Sequence, residues 1–346
     1  MERTKDRDYL LAWYIVHNEP TREDVRRGKV SIPTGYNKRI IEGYLPLLRE
    51  DYEDIKEKIE SKSFVFGNES EENKDECETD NNNKTKIKII CSDFHIPFND
   101  KEATELFLDF LSGIDVDEVI LNGNINDCMA FSSHPRLREL AQTMKSAKEE
   151  RKNWFNFANA LRLAVGNKTK IKYIGSQCHE GRIDKWVSLS PILVEDDNYT
   201  VEKWFKLEDY GIDFIPEAYD PINEKDVSDG DYRGVDLIVT HGTVCRSKSG
   251  ISAMAEMEYN GVSTITAHTH RLSQVYKTTA RGTDCAIECG CMCERKPWYY
   301  LKGKRRLLDW QQGFVILLVN PDGSYASQVV PISRDKDDKP FLAFNK

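Results

Sequence analysis

The chain has 346 residues, of which 39% are hydrophobic, and a formal net charge of −9 at pH 7. This length provides for one large domain with a full core and a smaller appendage. The net negative charge argues against a protein that coats nucleic acid non-specifically. Charges segregated along the chain can still form a local basic surface.

The sequence shows no targeting or membrane signal. It has no run of eighteen apolar residues, no basic start that leads into an apolar stretch with a cleavage site, and no lipidation motif, so we expect a cytoplasmic protein without membrane contact. Nine cysteines, an odd number, predict reduced thiols. We interpret Cys285, Cys289, Cys291 and Cys293 as small buried hydrophobes, because the last three would lie too close along one strand to surround a metal ion.

Residues 1–64 predict a small all-α N-terminal domain. Apolar side chains recur at helical spacing from Tyr9 to Val16 and again from Ile40 to Leu48. Short helices with basic residues between them are compatible with a helix-turn-helix unit that binds DNA. A docking or oligomerisation bundle is the alternative.

Residues 65–85 predict an acidic disordered linker. The stretch from Gly67 to Lys84 carries no large apolar residue, so it cannot bury enough surface to offset the entropy of ordering. The linker therefore separates the N-terminal domain from a second domain over residues 86–346.

Strand-like and helical runs alternate after the linker, which predicts an α/β domain. The predicted helices are Lys101–Leu111, Leu137–Leu163 and Ser249–Tyr259. The predicted strands are Ile87–Cys91, Val119–Leu121, Ile171–Ile174, Leu237–Val239, Ser263–Thr266, Ser273–Thr278, Asp284–Glu288 and Phe314–Val319.

Short motifs rich in histidine and carboxylate follow the first five of these strands. In chain order they are Asp93-x-His95, Gly123-Asn124-x-x-Asp127, His179-Glu180, His241-Gly242 and His268-x-His270. Imidazoles and carboxylates at the carboxyl ends of neighbouring buried strands can converge on one crevice, as binding of a pair of transition metals requires. The motifs therefore predict a metal-dependent enzyme.

The order, spacing and strand-end placement of these motifs resemble the calcineurin-like metallophosphoesterase superfamily, over roughly Lys86 to Pro331. The resemblance is strongest to prokaryotic and phage members, including those similar to DNA repair exonucleases, and the segment Asp309–Phe314 adds to it. It implies a four-layer α/β/β/α sandwich that holds two divalent metal ions, usually manganese, iron or zinc.

The resemblance also implies a role for each motif residue. The ligands would be Asp93, His95 and His270 for the first ion, His241 and His268 for the second, Cys178 completing the second site, and Asn124 bridging both. Two ions held close together activate a water and polarise a phosphoryl group. His179 would then be the general acid or bind the phosphate, with Asp127 or Glu180 orienting it, and Arg182 would contact a phosphate oxygen.

Asn124 departs from the family pattern, which has a bridging carboxylate at this position. Two dications about 4 Å apart repel each other by roughly 17 kcal/mol at an effective dielectric constant of about 20, and a neutral amide supplies no charge to offset this. Three explanations are open: a divergence that still works, an engineered inactivation, or a site that only binds.

Cys178 is the second departure. It lies in Gly175-Ser176-Gln177-Cys178-His179-Glu180, where the family has Gly-Asn-His-Glu or Gly-Asn-His-Asp, and it takes the place of the metal-binding asparagine. If the thiol ionises on a metal, amide plus thiolate carry the same charge as carboxylate plus amide. We hypothesise that this exchange favours a softer ion such as zinc at the second site.

The segment from Arg295 to Arg306 contains six basic and three aromatic residues, a mixture suited to phosphates and stacked bases. A solvated hairpin with one packed aromatic side is the alternative. We therefore expect a metal-dependent phosphoesterase, nuclease-like and acting on a phosphodiester in nucleic acid. The alternatives are a protein phosphatase or cyclic-nucleotide phosphodiesterase, and a catalytically impaired protein that binds DNA or a ligand; the oligomeric state is open.

Overall fold

Two six-stranded sheets and their covering helices make up the part of the chain that the computed structural model describes, residues 84–132, 146–189, 191–194, 196–280, 282–295 and 308–343. All of these residues lie in one of the two units into which the chain divides, Asp80–Lys346. The predicted N-terminal domain, almost all of the predicted linker and most of the basic aromatic segment lie outside the described residues, so they stay predictions.

The first sheet has a parallel centre and an antiparallel edge. Its strands are β1 (Lys86–Cys91), β2 (Glu118–Asn122), β3 (Lys170–Ile174), β4 (Ile212–Ile215), β11 (Gly313–Val319) and β12 (Tyr325–Pro331). They lie in the order β12-β11-β1-β2-β3-β4, and β1 to β4 are parallel. The β1 and β2 strands are almost entirely buried on both faces, as their runs of isoleucine, valine and leucine predict.

The second sheet repeats this plan on a smaller scale. Its strands are β5 (Ala218–Asp220), β6 (Lys225–Asp226), β7 (Leu237–Thr240), β8 (Ser263–Thr266), β9 (Leu272–Thr279) and β10 (Gly282–Cys289). They lie in the order β6-β5-β7-β8-β10-β9, with β7, β8 and β10 parallel. A separate pair is formed by β13 (Ser333–Arg334) and β14 (Pro340–Phe341).

Three of the described helices begin at a side chain that accepts a hydrogen bond from a free backbone N–H group. They are α1 (Lys101–Ser112), α2 (Ala147–Val165), α3 (Gly181–Ser188), α4 (Pro191–Val194), α5 (Val201–Trp204) and α6 (Ile251–Asn260), with 3-10 turns at Met129–Phe131, Asp197–Tyr199 and Leu207–Tyr210. Asp100 caps α1 by accepting from the Ala103 N–H, and Ser146 caps α2 by accepting from the Glu149 N–H.

Three apolar cores stack these elements into four layers. The first core joins α1 and α2, through side chains such as Phe107 and Trp154, to one face of the first sheet. The second lies between the sheets and includes Ile90 and Val239, and a third joins Met257 of α6 to the outer face of the second sheet. Alternate strand residues serve opposite cores, so the expected α/β/β/α sandwich is confirmed.

A network of charges lies between the sheets at the amino ends of β1 to β3. Glu224 accepts hydrogen bonds from three lysines, Lys86, Lys88 and Lys170. Burial alone would raise the pKa of the Glu224 carboxyl, but these lysines lower it to about 2. We call this group the lysine cluster.

The eight predicted strands and the predicted helices Lys101–Leu111 and Ser249–Tyr259 are confirmed, with ends that differ by at most two residues. The predicted helix Leu137–Leu163 is confirmed from Ala147 onward, but Ser146 is extended and caps its start, so one unbroken helix from Leu137 was wrong. The burial of the four clustered cysteines is confirmed as well. The expectation that Cys289, Cys291 and Cys293 lie along one strand, used as the argument against a shared metal ion, was wrong, because β10 ends at Cys289 and Gly290 takes φ 82°. Cys291 and Cys293 therefore follow the strand instead of continuing it.

Among the residues that the structure describes, no helix combines the length and the hydropathy that crossing a bilayer requires.

Candidate metal centre

The predicted ligands lie in loops at the carboxyl ends of five parallel strands. Those from the first sheet are Asp93 and His95 after β1, Asn124 after β2 and Cys178 after β3; those from the second sheet are His241 after β7 and His268 and His270 after β8. All are buried except Cys178 and His268, which are partly exposed. The parallel strand order brings these loops to one edge of the sandwich.

Five of these seven residues have a left-handed backbone. The φ angles are 50° at Asp93, 51° at His95, 45° at Asn124, 65° at His268 and 60° at His270. Residues other than glycine rarely adopt this conformation, which costs about 1–3 kcal/mol at each position and persists only where the surroundings impose it. Such strain is concentrated at functional sites, so it marks these loops as a candidate site independently of the motifs.

One group of donors consists of a carboxylate and two imidazoles. Asp93 Oδ1 lies 3.5 Å from His95 Nε2 and 3.4 Å from His270 Nε2. The two Nε2 atoms are 3.0 Å apart. These three residues, which we call the carboxylate triad, can supply one oxygen and two nitrogen ligands to a cation.

A second group consists of a thiol and two imidazoles. Cys178 Sγ lies 3.5 Å from His241 Nε2 and 3.6 Å from His268 Nδ1. The His241 ring packs so closely on Gly123, which has φ 67°, that a Cβ there would lie 2.6 Å from His241 Nδ1. We call Cys178, His241 and His268 the thiol triad; it can supply one sulfur and two nitrogen ligands.

Asn124 joins the two triads through its side-chain amide. Its Nδ2 donates to Asp93 Oδ1 at 3.0 Å, and its Oδ1 lies 3.2 Å from Cys178 Sγ. The Ser176 hydroxyl donates to the same Oδ1 at 2.7 Å. The amide therefore has its donor toward the carboxylate triad and its acceptor toward the thiol triad.

Each triad contains one group that is held in its anionic form. Burial opposes ionisation of Asp93, but the charge of His270 and hydrogen bonds with His270 and His95 lower the pKa of that carboxyl well below its usual range. Burial would likewise raise the pKa of the Cys178 thiol, but hydrogen bonds with the two imidazoles of its triad lower it. The same contact, acting against burial, raises the pKa of His241.

Three of the histidines predicted to be ligands have a partner on the ring nitrogen that faces away from the centre. His95 Nδ1 lies 3.2 Å from a carboxylate oxygen of Asp127, and His241 Nδ1 lies 3.1 Å from the Asn122 carbonyl oxygen. His270 Nδ1 lies 3.6 Å from Cys293 Sγ. Such partners fix which nitrogen is free to bind a cation.

His179 and Arg182 lie beside the carboxylate triad. The rings of His179 and His95 are 4.5 Å apart, edge to face. Both the His179 Nδ1–H and the Arg182 guanidinium donate to the backbone carbonyl of Asp127, each at 2.8 Å. Arg182 Nη2 lies 3.3 Å from His179 Nε2 and donates to it. Burial, together with the charges of His95 and Arg182, lowers the pKa of His179 well below its usual range.

Glu180, one of the two residues predicted to orient His179, instead contacts the loop that carries Asn124. Its carboxylate accepts hydrogen bonds from the N–H groups of Asn124 at 3.2 Å, Ile125 at 2.9 Å and Asn126 at 3.2 Å, and from the Tyr173 hydroxyl at 2.7 Å. It therefore fixes the strained loop that carries Asn124. Asp127, the other residue predicted to orient His179, does lie beside it: the carbonyl oxygen accepts from the His179 Nδ1–H, and the carboxylate lies 3.4 Å from the same nitrogen as well as 3.2 Å from His95 Nδ1.

Two buried glutamates that the motifs did not reveal hold the loops of the second sheet in the same way. Glu256 of α6 accepts from the N–H groups of Thr243 and Val244, each at 2.7 Å, in the loop that follows His241. Glu288 of β10 accepts from the Gly250 N–H at 2.6 Å and from the Thr269 hydroxyl at 3.0 Å, between His268 and His270. The only sequence signal for either is a charged residue within an apolar run.

A four-layer sandwich with two donor triads at its strand ends defines a metallophosphoesterase-type fold, the class that the motifs resemble. A fold of this kind does not fix an activity. The assignment rests on the sheet order, the cores and the triads of the chain itself.

No protein-family model matches the chain. Two relatives are the Gene 54 proteins of Mycobacterium phages D29 and L5, each 28% identical over 264 residues, which cover 72% of this chain and 94% of the relative. Among solved structures, Vps29 of Chaetomium thermophilum is similar with a TM-score of 0.38 and 13% identity, over 74% of this chain and 94% of that one. Vacuolar Protein Sorting 29 of Cryptosporidium parvum gives 0.36 and 14%, over 75% and 96%.

Proposed function

We propose that the chain is a metal-dependent phosphoesterase whose centre takes two divalent cations, manganese, iron or zinc. The observation that carries this proposal is the convergence of two donor triads on opposite sides of Asn124. The strain at five of the seven positions supports it, because folding stability alone gives no reason to keep such strain.

The donor separations fit cations of this kind. In a tetrahedral zinc site, sulfur and nitrogen ligands at about 2.3 and 2.0–2.1 Å from the metal lie roughly 3.5 Å from each other. The thiol triad has sulfur-to-nitrogen distances of 3.5 and 3.6 Å. Oxygen and nitrogen ligands at about 2.1 Å lie roughly 3.0–3.4 Å apart, depending on the coordination angle. The carboxylate triad spans 3.0 to 3.5 Å.

The two triads differ in chemical softness. Thiolate and imidazole prefer zinc among the abundant ions, whereas carboxylate with imidazole also accepts manganese or iron. We therefore assign a zinc-like ion to the thiol triad and a harder ion to the carboxylate triad. When bound, the ions would polarise a phosphoryl group and activate a water.

Arg182 would contact the phosphate, held in position by His179 and Asp127. Two roles were predicted for His179, proton donation and phosphate contact. Its Nε2 accepts a hydrogen bond from Arg182 and so carries no proton for either role in this arrangement, and we propose that His179 acts by orienting Arg182. Arg182 supplies the planar, positively charged donor that a phosphate oxygen prefers. Asp127 holds both side chains through its carbonyl and holds His95 through its carboxylate.

We propose a phosphodiester in nucleic acid as the substrate. Support comes from the sequence between Arg295 and Arg306, whose basic and aromatic residues suit phosphates and stacked bases. The competing enzyme substrates are a phosphoprotein and a cyclic nucleotide. Hydrolysis of single-stranded DNA, a phosphopeptide and a cyclic nucleotide, measured side by side, distinguishes them.

The proposal is tested by hydrolysis of bis-p-nitrophenyl phosphate with manganese and zinc. We expect turnover that is higher in Asn124→Asp, because that change restores a bridging carboxylate. Asn320→Asp adds the same charge on an exposed turn at the amino end of β1, far from the ligand loops along the strand, and should leave turnover unchanged. If neither the chain nor Asn124→Asp hydrolyses any phosphoester, the proposal that the chain is an enzyme is rejected.

The neutral amide of Asn124 favours one further candidate, a protein that binds DNA or another phosphate ligand at this centre without hydrolysing it. Such a protein would retain a phosphodiester analogue and show a gel shift with DNA that weakens steeply with added salt. Binding by the full chain without turnover by either form would support this candidate.

A further inference from the structure

Cys293 faces the side of His270 that points away from the centre. Its sulfur lies 3.6 Å from His270 Nδ1, within range of an N–H to sulfur hydrogen bond, while His270 Nε2 lies among the other atoms of the carboxylate triad. The thiol is fully buried and packs in an apolar cluster with Phe98 and Trp310. The Trp310 ring is 4.2 Å from the His270 ring, so the imidazole is held on two sides.

The backbone around Cys293 is tied to the loop that follows β1 and to Gln312. The Glu294 N–H donates to the Phe98 carbonyl at 3.0 Å, and the Gln312 side-chain amide donates to the Cys293 carbonyl at 3.0 Å. The Met292 N–H donates to the Asp93 carbonyl at 3.1 Å. The sulfur therefore has a fixed position relative to the carboxylate triad.

We infer that Cys293 is a positioning residue for His270. Its sulfur accepts the Nδ1–H, which keeps the proton on that nitrogen and leaves the Nε2 lone pair directed at the cation. This inference rests on the proposed function, since it requires His270 Nε2 to be a ligand. Asp127 and the Asn122 carbonyl do the same for His95 and His241, but a sulfur acceptor cannot be predicted from those motifs.

Cys291 provides the contrast within the same segment. It is as buried as Cys293, and its thiol hydrogen bonds to the Gln311 carbonyl oxygen at 3.7 Å. Cys291, Cys293 and His270 Nδ1 also lie close enough together to be ligands of a cation themselves. That arrangement would need Nδ1 without a proton, so it and the positioning role exclude each other.

The first test is the tautomer of His270 in the full wild-type chain. Long-range proton–nitrogen NMR spectra of the histidine side chains, assigned with His270→Gln, should show the proton on Nδ1 both without metal and with zinc. A proton on Nε2, or a metal-shifted Nδ1, would overturn the inference. This measurement needs no change to the buried thiols.

The second test compares two matched thiol deletions by calorimetric titration of the full chain with manganese and zinc. Cys293→Ala should weaken binding at the carboxylate triad by about 10- to 100-fold, the usual effect of losing a ligand's supporting partner, and Cys293→Ser should recover part of it. Cys291→Ala should change binding by less than about 3-fold. The positioning role would be refuted if Cys293→Ala and Cys291→Ala weakened cation binding equally. It would also be refuted if both variants lost a third ion that wild type binds. Absence of cation binding by wild type would instead refute the proposed function.

Discussion

Asn124→Asp turns the hydrogen bond between Asn124 and Asp93 into a contact between two carboxylates. Asn124 Nδ2 donates to Asp93 Oδ1 at 3.0 Å, and both residues are buried. In the variant an anionic oxygen takes the place of the donor. The centre should then be unstable without metal and unusually stable with it.

The magnitude follows from the distance. Two unit charges 3.0 Å apart repel by roughly 5–6 kcal/mol at an effective dielectric constant of about 20, and relaxation to about 4 Å reduces this to about 4 kcal/mol. For a domain of this size 1 kcal/mol corresponds to about 2–4 °C in Tm, so the metal-free variant should melt on the order of 10 °C below wild type. Cations between the carboxylates remove the repulsion and convert it into attraction.

The assay is thermal unfolding of wild type, Asn124→Asp and Asn124→Ala, each with a chelator and with saturating manganese and zinc. Asn124→Ala loses the hydrogen bond without gaining a charge, so it should be destabilised by about 1–3 kcal/mol and gain no more from metal than wild type does. Only Asn124→Asp should have a Tm below that of wild type in chelator and above that of wild type with metal. The electrostatic reasoning is refuted if Asn124→Asp has the same Tm as Asn124→Ala in chelator. It is also refuted if metal raises the Tm of all three proteins equally.

Three further predictions concern single side chains. Cys178→Ser should abolish the near-ultraviolet thiolate-to-cobalt absorption of the cobalt-loaded protein, whereas the exposed thiol of Cys245 can be replaced by serine without effect. Glu180→Gln should lower the free energy of unfolding by roughly 1–3 kcal/mol and weaken zinc binding in titrations, whereas Glu258→Gln in an exposed ion pair should cost less than about 0.5 kcal/mol in denaturant unfolding. The pKa of Glu224 falls from 4.5 to about 2 in the folded protein, so its contribution is complete above pH 4.5 and is lost as the pH falls toward 2. In Glu224→Gln the free energy of unfolding should therefore fall less than in wild type between these pH values, by roughly 1–2 kcal/mol after allowance for solvent screening.

The sequence predicted the strands next to the site because their apolar runs are long and end at polar motifs. It missed β4, β5, β6, β13 and β14, which have only two to four residues each, so their periodicity is weak. It also missed β12, an edge strand that is mostly outside the core. It placed the ligand residues at strand ends, from which their approach to one another follows through the parallel order.

The supporting contacts could not be predicted in this way. Glu180 bonds to backbone N–H groups more than 50 positions away along the chain, and no residue pattern marks a backbone donor. The contact of Cys293 with His270 depends on the end of β10 at Cys289 and on Gly290, where a positive φ redirects the chain. A local conformation that sequence spacing does not encode therefore decides which thiol reaches the imidazole.

Asn124 and Cys178 are better understood together than as two separate departures from the family pattern. A bridging carboxylate would serve both cations at once, so each ion would depend on the other. Here the anionic groups are Asp93 in one triad and the Cys178 thiolate in the other, and a neutral amide lies between them. Each triad then carries its own negative charge and its own chemical softness. If the two cations bind as we propose, the neutral amide leaves their mutual repulsion without a bridging charge to offset it, so a cation in one triad should weaken the binding of a second cation in the other.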